Sequence, residues 1–393
     1  MRNFLSTRAS AIPPSGIRKF FDIVSEQKDI ISLGVGEPDF ITPWDIRDAG
    51  IQAVKKGYTQ YTSNSGLTPL RVEIVDYLRD NFNVNYKKED VVITVGASEG
   101  IDVTLRAIVN EGDEILIPDP SYVSYRPCVE LLGGVAVSVP CSGEDGFKLT
   151  KENLEKVITP KTKALIFPYP NNPTGGIMEK EYIEKIIPVI LEKDLLVISD
   201  EIYAELTYGK KHCSIASFPE LKDRVVLISG FSKAFAMTGW RVGYVCAPEP
   251  IKSTLLKIHQ YASICAPIFS QYAALEGLRR GKEDGFSAVG EMRAEYDTRR
   301  KFMYNQFLEM GLSCFEPEGA FYIFPCVKET GLTGEEFATR LLESKKVAVV
   351  PGSAFGEFGK YYVRCSYASS MKNLVEATSR IAEFLQEIKT ENE

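Results

Sequence analysis

Three side chains stand out in this chain because of where they fall relative to short apolar runs. Lys233 lies in Ser229-Gly-Phe-Ser-Lys-Ala-Phe-Ala-Met-Thr-Gly-Trp-Arg241, directly after the apolar run 225–228 and eight residues before Arg241. An ammonium delivered to the end of a buried strand, among small and apolar neighbours, is poorly solvated. Its pKa should fall toward the range in which an amine forms Schiff bases. Most lysines are solvated surface charges; the neighbours single this one out. Asp200 ends the run 195–199 and opens Asp-Glu-Ile-Tyr203, so a carboxylate sits at a strand's end with a phenol three residues on. Ligands of α/β sheets bind at the carboxyl ends of strands. Asn172 opens Asn-Pro-Thr-Gly175, shortly after the apolar run ending at Phe167. Taken singly, that tetrapeptide reads as a turn and Asp200 as a helix N-cap. Together these residues converge on one site.

Positioning them requires a sheet. Short β-branched runs at 91–95, 115–117, 135–139, 164–167, 195–199, 225–229 and 242–246 alternate with helical patterns at 98–109, 122–132 and 179–193. In the first helix Ile101, Leu105 and Ile108 share a face. This alternation predicts an α/β fold with a mostly parallel sheet covered on both sides. After Pro250 the texture changes. A helix rich in Arg and Glu at 292–310 leads into Gly319-Ala-Phe-Tyr-Ile-Phe324, strands at 347–350 and 361–365, and an amphipathic helix at 372–388. The expected division is an arm and part of a smaller unit at 1–44, a large domain at 45–285, and a small α+β domain at 286–393. The first thirty residues, with Pro13-Pro14 and Gly16, read as an arm that packs on something else.

Composition narrows the function. The 393 residues carry a net charge of −7 and no basic block, which argues against a nucleic-acid or anionic-membrane partner. No apolar run approaches membrane-spanning length, and no apolar core follows the N-terminal charges as a secretory signal would need. Eight cysteines without Cys-x-x-Cys spacing suggest reduced thiols in a cytoplasm. Two histidines, His212 and His259, cannot build a His-rich metal centre or favour Ser-His-Asp chemistry, and no metal is expected. His212, in a polar Gly-Lys-Lys-His stretch, looks exposed. Gly34-x-Gly36 lacks the third glycine of a dinucleotide loop, and Gly359-Lys360 lacks Walker spacing.

The motifs resemble, nearly from end to end, those of the class I/II aminotransferases of fold type I, which depend on pyridoxal 5'-phosphate (PLP). They run from Gly34-Val-Gly-Glu-Pro-Asp-Phe40 through Gln60-Tyr-Thr62, Asp119-Pro-Ser-Tyr-Val-Ser-Tyr125, Asn171-Asn-Pro-Thr-Gly175 and Ser199-Asp-Glu-Ile-Tyr203. The lysine segment and Tyr362-Val-Arg-Cys-Ser-Tyr-Ala368 complete the series. Any one motif is weak; seven in family order are not. The texture is most similar to the aromatic and N-acyl-diaminopimelate subgroup.

The resemblance implies a seven-stranded, mostly parallel sheet and roles for individual residues. Lys233 would hold the cofactor covalently and then serve as general base and acid. Asp200 would pair with the pyridinium nitrogen. Tyr203 and Asn172 would hydrogen-bond the ring's phenolic oxygen, and Tyr122 would stack on the ring. Arg241, the amides of Ala97 and Ser98, and Ser232 would receive the phosphate. Tyr61 of a neighbouring subunit would reach the same phosphate, which implies a homodimer with shared sites. Arg364, with the backbone of Gly36, would clamp the substrate's α-carboxylate. The expected reaction is a ping-pong transfer between an L-amino acid and a 2-oxo acid, with 2-oxoglutarate as the expected acceptor, in the cytoplasm. Residues 12–18, Trp44 and the partner chain are expected to line the side-chain pocket. Gly230 stands where many relatives have a phosphate-binding serine, and Ser98 stands where some aspartate-specific relatives have lysine, which weakens a strict aspartate reading. A PLP-dependent β-lyase on the same scaffold is the alternative. A non-catalytic PLP-binding regulator would need a DNA-binding segment that this sequence does not show.

Overall fold

A computed structural model describes residues 4–14, 16 and 29–392. Its centre is a seven-stranded sheet built from β2 (Val91–Thr94), β3 (Glu114–Asp119), β4 (Val135–Pro140), β5 (Thr162–Phe167), β6 (Leu196–Asp200), β7 (Val225–Gly230) and β8 (Gly243–Cys246). The spatial order is β2-β8-β7-β6-β5-β3-β4. Strands β4, β3, β5, β6 and β7 run parallel, whereas β8 is antiparallel to both of its neighbours. Helices cover both faces. Each central strand is therefore buried on two sides and reads as a near-continuous apolar run: Val197, Ile198, Val225, Val226, Leu227 and Ile228 are all in the core.

The sheet's aliphatic core contrasts with an aromatic one beside it, where Tyr296, Phe321, Tyr322, Phe337, Tyr367 and Phe384 pack together. The second core belongs to two smaller sheets. In one, β1 (Ile31–Ser32) pairs in parallel with β10 (Val347–Ala348). The other is β11 (Val350–Pro351), β12 (Val363–Ser366) and β9 (Tyr322–Ile323), all antiparallel. The chain just before Pro43 thus joins segments from its far end. Asp39 locks this join by accepting both hydrogen bonds of Arg299 Nη1, at 2.9 and 2.8 Å, from the helix Ser287–Glu309.

Several expectations need correction. The strand placed at 347–350 is two strands, because Val349 is where the chain changes partner from β1 to β12. The helix placed at 122–132 spans Tyr125–Leu131. Ser121 N donates to the Phe355 carbonyl at 3.0 Å, so the chain stays tied outside the helix and Tyr122 is left to face the sheet's edge. The helix placed at 292–310 begins earlier, at Ser287. His212 is not exposed: its side chain is 3% accessible and its Nε2 bonds Glu201 Oε2 at 2.8 Å, a buried pair hidden inside a polar stretch of sequence. Among the described residues, no helix is long and apolar enough to cross a membrane.

Candidate active site

A cavity of about 940 Å³ opens at the carboxyl ends of the parallel strands. Lys233 enters it from the turn after β7. The turn is possible because Gly230 pairs with Gly243 across the sheet, where a Cβ on Gly230 would meet Gly243 Cα at 2.8 Å. That close approach also accounts for the missing serine at position 230. The Lys233 ammonium is half-buried, donates to the Gly36 carbonyl at 2.6 Å, and lies 5.7 Å from the ring centres of both Tyr203 and Phe321. Burial lowers its pKa to about 8; Glu37 opposes the fall, Arg364 and Arg241 add to it, and Asp200 opposes it weakly. Within this one chain, then, the lysine is an amine that loses its proton near pH 8.

Asp200 is buried at the end of β6. Its Oδ2 accepts from Tyr125 Oη at 2.7 Å and its Oδ1 from the Ile202 amide at 3.2 Å. Burial pushes its pKa up, and the Tyr125 hydrogen bond resists. Tyr125, three residues beyond Tyr122 in the same motif, is a site residue that the sequence reading passed over. Tyr122 precedes the helix and Tyr125 opens it, so no periodicity says which ring faces the carboxylate.

The anion end of the cavity is the start of the helix Gly96–Ile108. Gly96 has φ 76°, which a side chain would strain, and its missing Cβ leaves room for Arg241, whose Nη2 would lie 2.4 Å from such an atom. Arg241, itself at φ 52°, donates to the carbonyls of Thr238 at 2.9 Å and Val95 at 3.4 Å. The helix start is held from behind: Glu99 accepts from Val95 N, from Ser263 Oγ at 2.7 Å, and pairs with the buried His259 Nδ1 at 2.9 Å. Amides of the first helical turn, the positive end of the helix dipole and Arg241 share this corner with Ser98 and Ser232.

Opposite stands Arg364, delivered by β12 and only 2% exposed. Nη1 donates to Asn172 Oδ1 at 2.9 Å and Nη2 to the Gly34 carbonyl at 2.5 Å. The guanidinium is stacked between Tyr322, 4.4 Å from the ring centre, and Phe355 at 4.9 Å. Its buried Nε has no hydrogen-bond partner among the described residues. A buried cation with an unspent donor is what a carboxylate would satisfy. Asn172 is presented by a tight turn in which Gly175 N donates to the Asn171 carbonyl at 2.9 Å.

Lys233, Asp200, Tyr203, Tyr122, Asn172, Ala97, Ser98, Ser232, Arg241, Gly36 and Arg364 all line this one cavity. Tyr61 does not; it is 77% exposed on the chain's surface. Trp44 is 59% exposed and is likewise absent from the lining, against expectation, because its helix (Trp44–Lys55) turns the ring outward. Residues 15, 17 and 18 of the expected arm lie outside the described residues, and 12–14 and 16 are not among the lining residues. Tyr322 and Glu37 are lining residues that sequence reasoning missed. Each is displayed by a motif already noticed, but neither motif says which side chain turns inward. Among the described residues no cluster of His, Cys, Asp and Glu could hold a metal ion.

Comparison with known proteins extends this local picture over the whole chain. The family model described as aminotransferase class I and II matches residues 28–381. The aspartate aminotransferase of Pyrococcus abyssi is 46% identical over 98% of this chain and 99% of its own length. Aromatic-amino-acid aminotransferase 2 of Thermococcus litoralis is 43% identical over the same shares. The crystal structure of the aromatic aminotransferase from Pyrococcus horikoshii superposes with a TM-score of 0.90, at 43% identity, covering 94% of this chain and 99% of that one. Similarity that runs unbroken through every segment feeding the cavity leaves one assignment: this chain belongs to the class I and II aminotransferase family.

Proposed function

We propose that the cavity binds pyridoxal 5'-phosphate and that the protein transfers an amino group between an L-amino acid and a 2-oxo acid by ping-pong chemistry. The family is generally PLP-dependent, and the residues fit the group. One observation carries the reading: a single half-buried amine of depressed pKa faces a buried carboxylate on one side and two arginines on the others. When bound, the cofactor's protonated ring accepts the electron pair released at the substrate's Cα.

The chain's own residues do the rest. Lys233 holds the cofactor and moves the proton at Cα, for which a pKa near working pH is suited. Asp200, oriented by Tyr125, keeps the ring nitrogen protonated. Asn172 and Tyr203 donate to the phenolic oxygen, and Tyr122 covers the ring face. Arg241, Ser98, Ser232 and the amides of Ala97 and Ser98 receive the phosphate. Arg364 takes the α-carboxylate with its fork, helped by the Gly36 backbone, while Tyr61 serves the phosphate of a second copy in a homodimer. Residues 45–285 form the PLP domain, and 1–44 with 286–393 the smaller one. The eight cysteines are unpaired, which suits a reducing cytoplasm. The amino donor is of aspartate, aromatic or N-acyl-diaminopimelate type, with 2-oxoglutarate as acceptor. Relatives named for aspartate and for aromatic substrates are almost equally similar. The β-lyase alternative is not favoured, since these full-length relatives are named aminotransferases.

The test is direct. Protein loaded with PLP, reduced with borohydride and mapped by peptide mass should carry the label on Lys233. Amino acids with 2-oxoglutarate should yield glutamate. Label on another residue, or pyruvate and ammonia released without any acceptor, would overturn the assignment.

A further inference from the structure

Arg364 and Tyr203 serve opposite ends of the proposed chemistry, one the substrate's carboxylate and the other the cofactor's phenolic oxygen. One side chain touches both. Tyr322 Oη lies 2.9 Å from Tyr203 Oη, while its ring centre is 4.4 Å from the Arg364 guanidinium. Its hydroxyl also rests against the backbone of Gly36, where a Cβ would meet it at 3.0 Å. The ring is fully buried in the aromatic core, wedged against Phe321 at 4.8 Å between centroids, so it has no freedom to swing away. Neither its ring nor its hydroxyl is used by any role assigned above.

We propose that Tyr322 is a positioning residue that strengthens Tyr203 as a donor to the cofactor's phenolic oxygen and holds the Arg364 fork flat for the incoming carboxylate. This rests on the PLP assignment above. The proton count sets the direction of the relay. Each phenol has one proton. Once Tyr203 spends its own on the cofactor, the contact between the two hydroxyls survives only if Tyr322 donates. Burial raises the pKa of both phenols; at Tyr322 the stacked Arg364 opposes the rise, whereas at Tyr203 Tyr322 adds to it, so Tyr322 is the readier donor. The groups facing the pair are Arg364, Lys233, Tyr122, Tyr125 and Glu37, with Asp200 on the strand end below.

The two jobs can be separated, because Tyr322→Phe removes the hydroxyl and keeps the ring. The readout is the pH midpoint of the visible absorbance change of the PLP-loaded protein, without substrate. With less support the oxygen's negative charge is held less well, and the neighbouring nitrogen keeps its proton to higher pH. The midpoint of Y322F should therefore rise by about 1 pH unit, the equivalent of one hydrogen bond. In a Tyr203→Phe background the same change should add nothing. Glutarate, which carries the carboxylate and no amine or ketone, should bind Y322F within about twofold of wild type. It should bind Tyr322→Leu, which lacks the ring, about fivefold more weakly. An unmoved Y322F midpoint, a shift that persists without the Tyr203 hydroxyl, or equal glutarate binding by Y322L overturns the proposal. A wild-type protein whose absorbance does not respond to PLP at all overturns the cofactor assignment with it.

Discussion

The two walls of the cavity are built on different principles. The wall bearing Lys233, Asp200, Ser98 and Arg241 stands on strand ends and a helix start, all within the seven-stranded sheet and its coverings. Its residues are fixed by backbone geometry: a Gly–Gly crossing, two positive-φ residues and the first turn of a helix. The opposite wall, bearing Arg364, Tyr322 and the backbone of Gly34 and Gly36, comes from three segments far apart in sequence, held by aromatic stacking and by the Asp39–Arg299 ion pair. A wall fixed by backbone tolerates little movement. A wall fixed by side-chain packing and one ion pair can shift as a unit, which is where a substrate of variable shape is best received.

If the first wall governs the cofactor and the second the substrate, variants should sort accordingly. Lys233→Ala should abolish the absorbance of the bound cofactor and lower turnover at least about 10⁴-fold; wild-type turnover in this variant would refute the division at its base. Arg364→Met should raise KM for any amino donor roughly a hundredfold through lost charge-assisted bonds, while cofactor absorbance persists. Loss of the cofactor in that variant would show that the walls are not separable.

Electrostatically they are coupled, and this sharpens the comparison. In the apoprotein, reaction of Lys233 with a simple aldehyde should be half-maximal near pH 8, because only the deprotonated amine reacts. Since Arg364 pushes that pKa down, Arg364→Met should move the half-point upward; a fall would contradict the assigned sign. The linkage sign follows. The folded lysine binds fewer protons than the unfolded one between about pH 8 and its ordinary value, so its burial costs stability below pH 8, and that cost fades as pH rises through the window.

Tyr125→Phe should leave the fold intact, weaken PLP retention about tenfold and slow the half-reaction, because Asp200 would lose the hydrogen bond that holds its pKa down. An unchanged affinity for PLP would remove Tyr125 from the first wall. The last expected effect is on the fold alone: Gly230→Ser places a Cβ near Gly243 Cα and should cost about 1–3 kcal/mol in denaturant unfolding.

The first wall was largely legible in the sequence, since a strand, its end and the candidate side chain are neighbours along the chain. Lys233 and Asp200 could be placed from apolar runs alone. Tyr125 and Tyr322 could not, because a ring at a helix start or in an aromatic core points wherever packing sends it. Trp44, an expected lining residue, faces outward, and His212, expected on the surface, is buried with Glu201. The His212 error came from judging burial by local polarity, which says nothing of a partner 11 residues away.

The order of short apolar runs and the identity of the residues closing them determined the α/β sheet, the amine and its carboxylate; the family was legible only as a resemblance carried by seven motifs in order. Periodicity and strand ends are local properties, carried by each segment wherever it packs. The tertiary structure decided which distant groups meet: that Arg364 lies beneath Asn172 with one nitrogen unspent, that Tyr322 bridges it to Tyr203, and that β8 runs against its neighbours. Those contacts depend on long-range packing, where the free energy of a pair exists only after the chain between its members has been folded.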